Sequence, residues 1–151
     1  MSASPNVDID DFAAALPQAV AALRTLSQSA GEGLGRGLVE LIKVRASQLN
    51  GCAYCLQLHV NWARKAGVAS YKLDQLAVWH EAVGFTAAER AALAWAEILT
   101  EARSQETARA REALHDHFSD EQVLRLTLAV AVINAWNRIA GPLGFTPPPA
   151  E

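Results

Sequence analysis

Three reactive side chains lie close together near the middle of the chain. Cys52, Cys55 and His59 follow one another at spacings of three and four residues, and the sequence of 151 residues holds just these two cysteines. On an α-helix, at about 100° per residue, Cys55 lies roughly 60° and His59 roughly 20° around from Cys52. All three therefore share one narrow stripe, with His59 one turn beyond Cys55.

The position of Cys52 favours its ionised form. Asn50 and Gly51 interrupt the preceding helical pattern, which places Cys52 at the start of a new helix. The free amide N–H groups and the positive end of the dipole there stabilise a thiolate, as does a nearby imidazole. The pattern predicts a redox-active pair. One thiolate attacks an oxidant such as a peroxide to give a sulfenic acid, and the second thiol condenses with it to a disulfide.

Other functions fit the same residues. The cysteine pair and His59 could be three ligands of a zinc ion, with Glu40, His80 or water as the fourth, although structural zinc sites commonly show a second paired cluster. An inert buried pair is another alternative. Haem attachment requires a histidine directly after the second cysteine, where this chain has Leu56. We favour the redox pair and expect neither a metal nor a cofactor.

Composition narrows the class of protein. With 51% hydrophobic and 19% charged residues and a net charge of −3, residues 1–151 are predicted to form a single domain with a substantial core. The sequence lacks the stripe of basic residues that is typical of a nucleic-acid-binding protein, so we expect no nucleic-acid partner. The apolar run over 126–136 is too short to span a bilayer, and the first 30 residues lack a signal-peptide pattern, so we expect a cytoplasmic protein without a membrane partner.

The elements that must position the reactive residues are predicted to be helices. Capping boxes at Thr86 and Ser119, Pro17 near a helix start and Gly67 at a helix end mark several boundaries. No alternating strand pattern is visible. We predict an all-α, compact domain of six to seven helices, with 1–15 and 146–151 loosely ordered. The helices cover about 17–29, 38–50, 52–66, 70–82, 86–101, 106–118 and 119–139.

The last predicted helix is apolar nearly all round. A helix without a polar face is expected to be buried on all sides. In a domain this small, a second subunit could cover the part of the helix that the domain itself leaves exposed. We therefore expect a homo-oligomer. Asn134 and Arg138 interrupt this helix and need polar partners if buried, and their roles stay open, as do those of His80 and Glu81.

The residues from Glu40 to His59, ELIKVRASQLNGCAYCLQLH, resemble the alkylhydroperoxidase D (AhpD)-like branch of the carboxymuconolactone decarboxylase superfamily. The motif of that branch is a glutamate twelve residues before Cys-x-x-Cys and a histidine four residues after it. Glu40, Cys52, Cys55 and His59 match every spacing. The similarity extends over 79–81, 89–95 and 134–138.

The resemblance implies an all-helical fold assembled as trimers or hexamers, and hydroperoxide reduction through a disulfide cycle. It implies that Cys55 attacks the peroxide, that Cys52 resolves the sulfenic acid and that His59 is the base. Glu40 would exchange protons with His59 through water. The expected partners are a hydroperoxide substrate and an unidentified thiol or disulfide reductant.

Two features qualify the match. The best-known peroxidases of that branch carry a second relay histidine where this chain has Tyr54, whose phenol has a pKa of about 10 and exchanges protons poorly near neutrality. The decarboxylase branch works without such a cysteine pair, so Cys52 and Cys55 argue against lactone decarboxylation, which is kept as the alternative activity in the same pocket. Without the resemblance, Glu40 could instead pair with Lys43 or Arg45 on a solvated helix face.

Overall fold

The computed structural model describes residues 7–151, so the expectation of loose order over 1–6 lies outside the described residues. No β-strand occurs within 7–151, which confirms the all-α prediction. Eight α-helices are linked by short turns, two of them 3₁₀ turns at Leu76–Val78 and Ser104–Glu106. The helices are α1 (Ile9–Ala15), α2 (Pro17–Gly31), α3 (Arg36–Asn50), α4 (Ala53–Lys65), α5 (Ser70–Gln75), α6 (Ala87–Thr100), α7 (Thr107–His115) and α8 (Asp120–Leu143).

Two central helices organise the packing. Helix α3 packs against α4, α6 and α8, and α8 packs in addition against α2 and α6. The core between α3, α6 and α8 contains fully buried side chains such as Ile42, Leu126 and Val130. A second part of the core, between α3, α4 and α8, encloses both cysteines with Ile133 and Phe145. The cysteine helix is therefore held by the two best-packed helices of the fold.

The predicted helix starts at the two capping boxes are confirmed. Thr86 Oγ1 accepts from the backbone N–H of Glu89 at 3.1 Å, and the Glu89 carboxylate accepts from the backbone N–H of Thr86 at 2.8 Å. Ser119 and Gln122 form the same reciprocal pair at the start of α8. These signals are local, which explains why they can be predicted without knowing the fold.

The expectation that 1–15 is loosely ordered is wrong for residues 9–15. They form α1, which begins at a capping box made by Asp8 and Asp11. The Phe12 ring packs 5.9 Å from the ring of Phe145, at the far end of the chain. A seven-residue helix has little stability alone, so this tertiary contact, invisible in the local sequence, accounts for the difference.

The end of the chain has no regular secondary structure, yet it is attached to the bundle. The side-chain amide of Asn61, in α4, donates to the carbonyl oxygen of Pro149 at 2.8 Å and its oxygen accepts from the backbone N–H of Glu151 at 3.2 Å. The prediction of a loose tail over 146–151 is therefore right about the absence of a helix and wrong about the absence of contacts.

The helix predicted over 70–82 ends early, at Gln75, and begins with Ser70 as its first residue rather than its cap. The chain then turns through the 3₁₀ segment. The Arg90 guanidinium donates to the carbonyl oxygens of Trp79, His80 and Ala82. Because this side chain satisfies backbone acceptors that a helix would otherwise satisfy, the turn is stable without further helix. The helix predicted over 106–118 is also shorter, ending at His115.

Helix α8 differs from prediction on two points. It is not buried all round, because Leu124, Ala131 and Arg138 form an exposed line at seven-residue spacing. It also continues to Leu143, so its 24 residues are long and apolar enough to cross a membrane by length and composition. The core helix of a globular protein meets the same two criteria, and here α8 packs against α2, α3, α4 and α6.

Candidate active site

A left-handed residue separates the two helices that carry the site. Gly51 closes α3 at φ 67°, and its backbone N–H donates to the last carbonyl groups of that helix. Cys52 follows as the N-cap of α4, and its Sγ accepts from the backbone N–H of Cys55 at 3.2 Å. The sulfur therefore occupies the place that a serine or aspartate oxygen takes in ordinary caps. Both thiols are free and buried.

This cap places negative charge on the first cysteine. The Cys55 thiol donates to the Cys52 sulfur, and that bond, with the backbone N–H of Cys55, lowers the pKa of Cys52 to about 7 against the opposing effect of burial. The same bond and burial raise the pKa of Cys55. Cys52 is therefore the more acidic thiol of the pair.

The side chain of Asn137, in α8, also faces the sulfurs. Its hydrogen bonding lowers the pKa of both cysteines. Four residues, or one turn, further along the same helix, an added Cβ at Gly141 would lie 4.0 Å from the Cys52 Cβ, which shows how closely α8 approaches the pair. Asn137 is 3% exposed, so its amide meets protein groups rather than bulk water.

Neighbouring groups fix which way the Asn137 amide points. The Ser47 hydroxyl donates to the carbonyl oxygen of Lys43 at 2.7 Å, which leaves its lone pairs to accept from Asn137 Nδ2 at 3.0 Å. On the other side Asn50 Nδ2 donates to Asn137 Oδ1 at 2.9 Å. Because an amide nitrogen has two N–H groups, one is engaged by Ser47 and the other is left for the sulfurs.

A buried acid–base pair lies beside the cysteines. His59 Nδ1 is 2.7 Å from Glu40 Oε2, and both residues are 5% exposed. Burial lowers the pKa of His59 from its ordinary value, while the Glu40 carboxylate partly opposes that shift. The carboxylate accepts the Nδ1 proton, so the neutral imidazole keeps a free lone pair on Nε2. The contact between Glu40 and His59 is direct, in place of the expected link through water.

A cavity of about 780 Å³ opens onto this pair, a size that suits a small organic ligand. Cys55, His59 and Glu40 line it, with Tyr54 beside them, whereas Cys52 does not. Its apolar wall includes Ile9, Leu34, Val39, Leu58, Trp62 and Trp136. A ligand in the cavity would therefore contact Cys55 rather than Cys52.

The four residues predicted for the site are brought together in part. Glu40 contacts His59, and Cys52 contacts Cys55, but the hydrogen bonds of His59 within residues 7–151 reach Glu40 rather than either sulfur. The more acidic thiol and the thiol at the cavity are also different residues, because the pKa of Cys52 is lowered whereas Cys55 lines the cavity. Which thiol attacks a substrate stays a prediction.

Two alternatives for the polar residues are resolved. Arg45 does not pair with Glu40 but with Glu97, at 2.7 Å, and Lys43 donates to Ser27 Oγ at 3.0 Å. The exposed His80 stacks on the Trp79 ring and bonds to Glu97, away from the cavity. Glu81 is exposed in the same turn.

Sequence reasoning missed Lys43 as a site residue and left Asn137 uncommitted. Lys43 is 5% exposed and lines the cavity one turn from Glu40. The spacing could have indicated it, since Lys43 follows Glu40 by three residues and so lies on the same face of the helix. Across residues 7–151, no group of three or more His, Cys, Asp or Glu side chains is arranged to hold a metal ion.

The fold and this site define a class of protein. Residues 11–97 match the carboxymuconolactone decarboxylase family, and the chain belongs to that family. Within the superfamily it is AhpD-like, since its solved structural relatives are of that kind. The resemblance inferred from the cysteine motif is thus confirmed.

Three relatives show how close these similarities are. The uncharacterized protein YdfG of Bacillus subtilis is 36% identical over 112 residues, which cover 74% of this chain and 76% of YdfG. A protein of unknown function from Agrobacterium tumefaciens, provisionally described as the antioxidant defence protein AhpD, has a TM-score of 0.88 and 35% identity, covering 96% of this chain and 99% of that one. An uncharacterized peroxidase-related protein with an AhpD core, from Ralstonia eutropha, has a TM-score of 0.81 and 27% identity, covering 91% and 74%.

Proposed function

We propose that this chain is a thiol peroxidase that reduces organic hydroperoxides through a Cys52–Cys55 disulfide cycle, using an external thiol reductant. The observation that carries the proposal is the placement of Cys55 in the cavity wall beside the buried His59–Glu40 pair. Membership of an AhpD-like family and the peroxidase-related relative from Ralstonia eutropha support it.

In the first step the neutral His59 takes the thiol proton of Cys55. The sulfur then attacks the distal peroxide oxygen, so an S–O bond forms as the O–O bond breaks. The alkoxide leaves with its electron pair and takes the proton from the imidazolium to become an alcohol. The Glu40 carboxylate stabilises the imidazolium between these transfers.

In the second step the Cys52 thiolate attacks the sulfenic sulfur of Cys55. An S–S bond forms, the S–O bond breaks, and hydroxide leaves and is protonated to water. The two thiols have then supplied the two electrons that reduced the hydroperoxide. A dithiol reductant returns two electrons and two protons by thiol–disulfide exchange. The thiolate that the helix cap holds on Cys52 is the form that the second step requires.

The test counts thiols and product together. Fully reduced protein is mixed with one equivalent of cumene hydroperoxide without oxygen, and free thiols and cumyl alcohol are measured after quenching. The proposal predicts that two thiols are lost for each alcohol formed and that dithiothreitol restores both. A variant with both cysteines changed to serine is the control. Unconsumed hydroperoxide, or alcohol formed without loss of thiol, would contradict the proposal.

A further inference from the structure

Three cationic side chains line the cavity. Arg24 comes from α2, and Arg36 and Lys43 come from α3. None of the three forms an ion pair with a carboxylate of residues 7–151. Two of them are exposed at the cavity mouth, and Lys43 lies deeper. None of these three positive charges is therefore paired with a carboxylate within the described part of the chain.

The acidic residues that line the same cavity already have partners. The Glu40 carboxylate accepts from His59 Nδ1 at 2.7 Å. Glu32 accepts from Arg125 Nη1 at 3.2 Å, at the outer edge. These two carboxylates are therefore hydrogen-bonded to other side chains, whereas none of the three basic groups is paired with a carboxylate.

The ammonium group of Lys43 is the clearest sign of a ligand. The residue is 5% exposed, and the hydrogen bond that its Nζ makes goes to a neutral acceptor, the hydroxyl of Ser27. A buried charge is costly unless a counter-charge accompanies it. Burial accordingly lowers the pKa of Lys43, and the Glu40 charge nearby offsets only part of this. An anionic ligand would supply the missing counter-charge.

We propose that the cavity binds the carboxylate of an organic acid beside Lys43, with the apolar body of the acid along the tryptophan-lined wall. Lys43 supplies a buried positive charge, and the exposed guanidinium groups of Arg24 and Arg36 add positive potential that attracts the anion. The inference rests on the proposed function in one respect: the preferred substrates would be hydroperoxides that carry a carboxylate remote from the peroxide group.

Charge can be tested apart from chemistry, with a ligand that cannot oxidise a thiol. We suggest 4-phenylbutyrate and its neutral amide, 4-phenylbutanamide, which share shape and size. Binding to the reduced protein is followed by the fluorescence of Trp62 and Trp136, which line the cavity, and confirmed by calorimetry. We expect the acid to bind at least about tenfold more tightly than the amide, with a preference that falls as salt rises.

Substitutions of the three cationic residues test whether the tighter binding of the acid depends on them. Lys43→Met keeps the length of the side chain and removes its charge, and Arg24→Gln with Arg36→Gln changes exposed residues that the core does not need. Both should reduce the preference for the acid severalfold or more. Lys65→Met, on the exposed end of α4 outside the cavity, is the matched control and should retain it.

The outcome is separate from that of the peroxidase test, because no thiol reacts. Equal binding of acid and amide by the parent protein, or no measurable binding of either, would overturn the inference even if hydroperoxides are reduced. An unchanged preference in both variants would overturn it as well. A preference for the acid that both variants lose would sustain it even if peroxidase activity were absent.

Discussion

The imidazole of His59 is oriented by one contact, the 2.7 Å bond between its Nδ1 and the Glu40 carboxylate. Glu40 is itself buried, in the helix that precedes the cysteine pair. A base fixed in this way presents one nitrogen to the cavity, and the carboxylate stabilises the cation that forms when it takes a proton. Glu40 therefore acts by orienting His59 and by stabilising its protonated form.

The first prediction follows from this pair. Glu40→Gln keeps the shape of the side chain but removes the charge that raises the pKa of His59. With burial then unopposed, the imidazolium becomes less stable, and the reaction with an organic hydroperoxide at pH 7 should slow by at least about tenfold. Stopped-flow measurements over pH 5–9 provide the check. A rate profile that superimposes on the parent's would mean that Glu40 only supports the fold.

The second prediction concerns the amide of Asn137. Asn137→Leu removes an N–H donor that lowers the pKa of both thiols, so the pKa of the first thiol to ionise should rise from about 7. A hydrogen bond to a charged group is worth about 1.5–3 kcal/mol, which corresponds to a rise of about 1 or more in the pKa. Thiolate absorbance near 240 nm as a function of pH measures it.

The matched control is Asn61→Leu. Asn61 is another buried asparagine, 3% exposed and hydrogen-bonded through its amide, but its partners are in the tail of the chain and in α4. Both variants should lose stability, because each leaves polar groups without partners. A thiol pKa that moves equally in both, or in neither, would show that Asn137 has no specific effect on the sulfurs.

At the scale of elements, the junction of α3 and α4 places the site. Gly51 turns the chain through a left-handed conformation, and the next residue, Cys52, caps α4. An added Cβ at Gly51 would meet nothing within 4 Å, so there is room for a side chain at this position. The left-handed backbone conformation, rather than space, is what favours glycine here.

The third prediction uses that distinction. Gly51→Ala should lower the free energy of unfolding by about 1 kcal/mol, since a side chain disfavours the left-handed region. The corresponding decrease in Tm is roughly 3 °C. Gly51→Asn should lower the free energy of unfolding by less, because asparagine tolerates the left-handed region. Gly31→Ala, inside α2 with ordinary helical backbone, is the control and should be neutral or stabilising. Calorimetry that finds the three variants equal would contradict the account.

The features of the fold that could be predicted from the sequence are those that depend on neighbouring residues. The helix starts at Thr86 and Ser119 and the break at Gly51 depend on neighbouring residues, and the structure has them where they were predicted. The early end of α5 depends on Arg90, fifteen residues away, and α1 depends on Phe145. Those contacts bring together distant parts of the chain, and no local pattern records them.

The same reasoning applies to the site. The spacing of Glu40, Cys52, Cys55 and His59 was enough to propose all four, because three share one helix and the fourth belongs to a recognisable motif. The direct Glu40–His59 contact could be seen only in the three-dimensional structure. The same holds for the hydrogen bonds that lower the pKa of Cys52 at the start of α4. Lys43 and Asn137 act through neighbours on other helices, Ser27 in α2 and the sulfurs in α4, so periodicity alone could not assign them.

At the scale of the whole molecule, α8 presents an incompletely covered apolar surface. Leu124 is 70% exposed and Ala131 is exposed one heptad later, while the opposite side of the helix is buried in the bundle. We predict that these two residues lie in a contact surface with another copy of the chain. The structure describes one chain, so assembly is a prediction.

The fourth prediction is that the protein is a trimer or hexamer in solution. Light scattering after size exclusion at micromolar concentration should give three or six times the chain mass of 16.2 kDa. Ala131→Glu, which introduces a charge on the exposed line, should lower that mass, whereas Ala108→Glu on the exposed side of α7 should not. A parent protein that elutes at the mass of one chain at every concentration would contradict the prediction.

The central claim is that Cys55 attacks the hydroperoxide and Cys52 resolves the product, although the Cys52 thiol has the lower pKa. Intact-mass spectrometry after a brief pulse of cumene hydroperoxide tests it most directly. The parent should lose two hydrogen atoms and form a disulfide. Cys52→Ser should gain one oxygen, as a sulfenic acid on Cys55, and Cys55→Ser should stay unchanged. If Cys55→Ser instead gains the oxygen and Cys52→Ser is inert, the attacking thiol is Cys52 and the assigned roles are wrong.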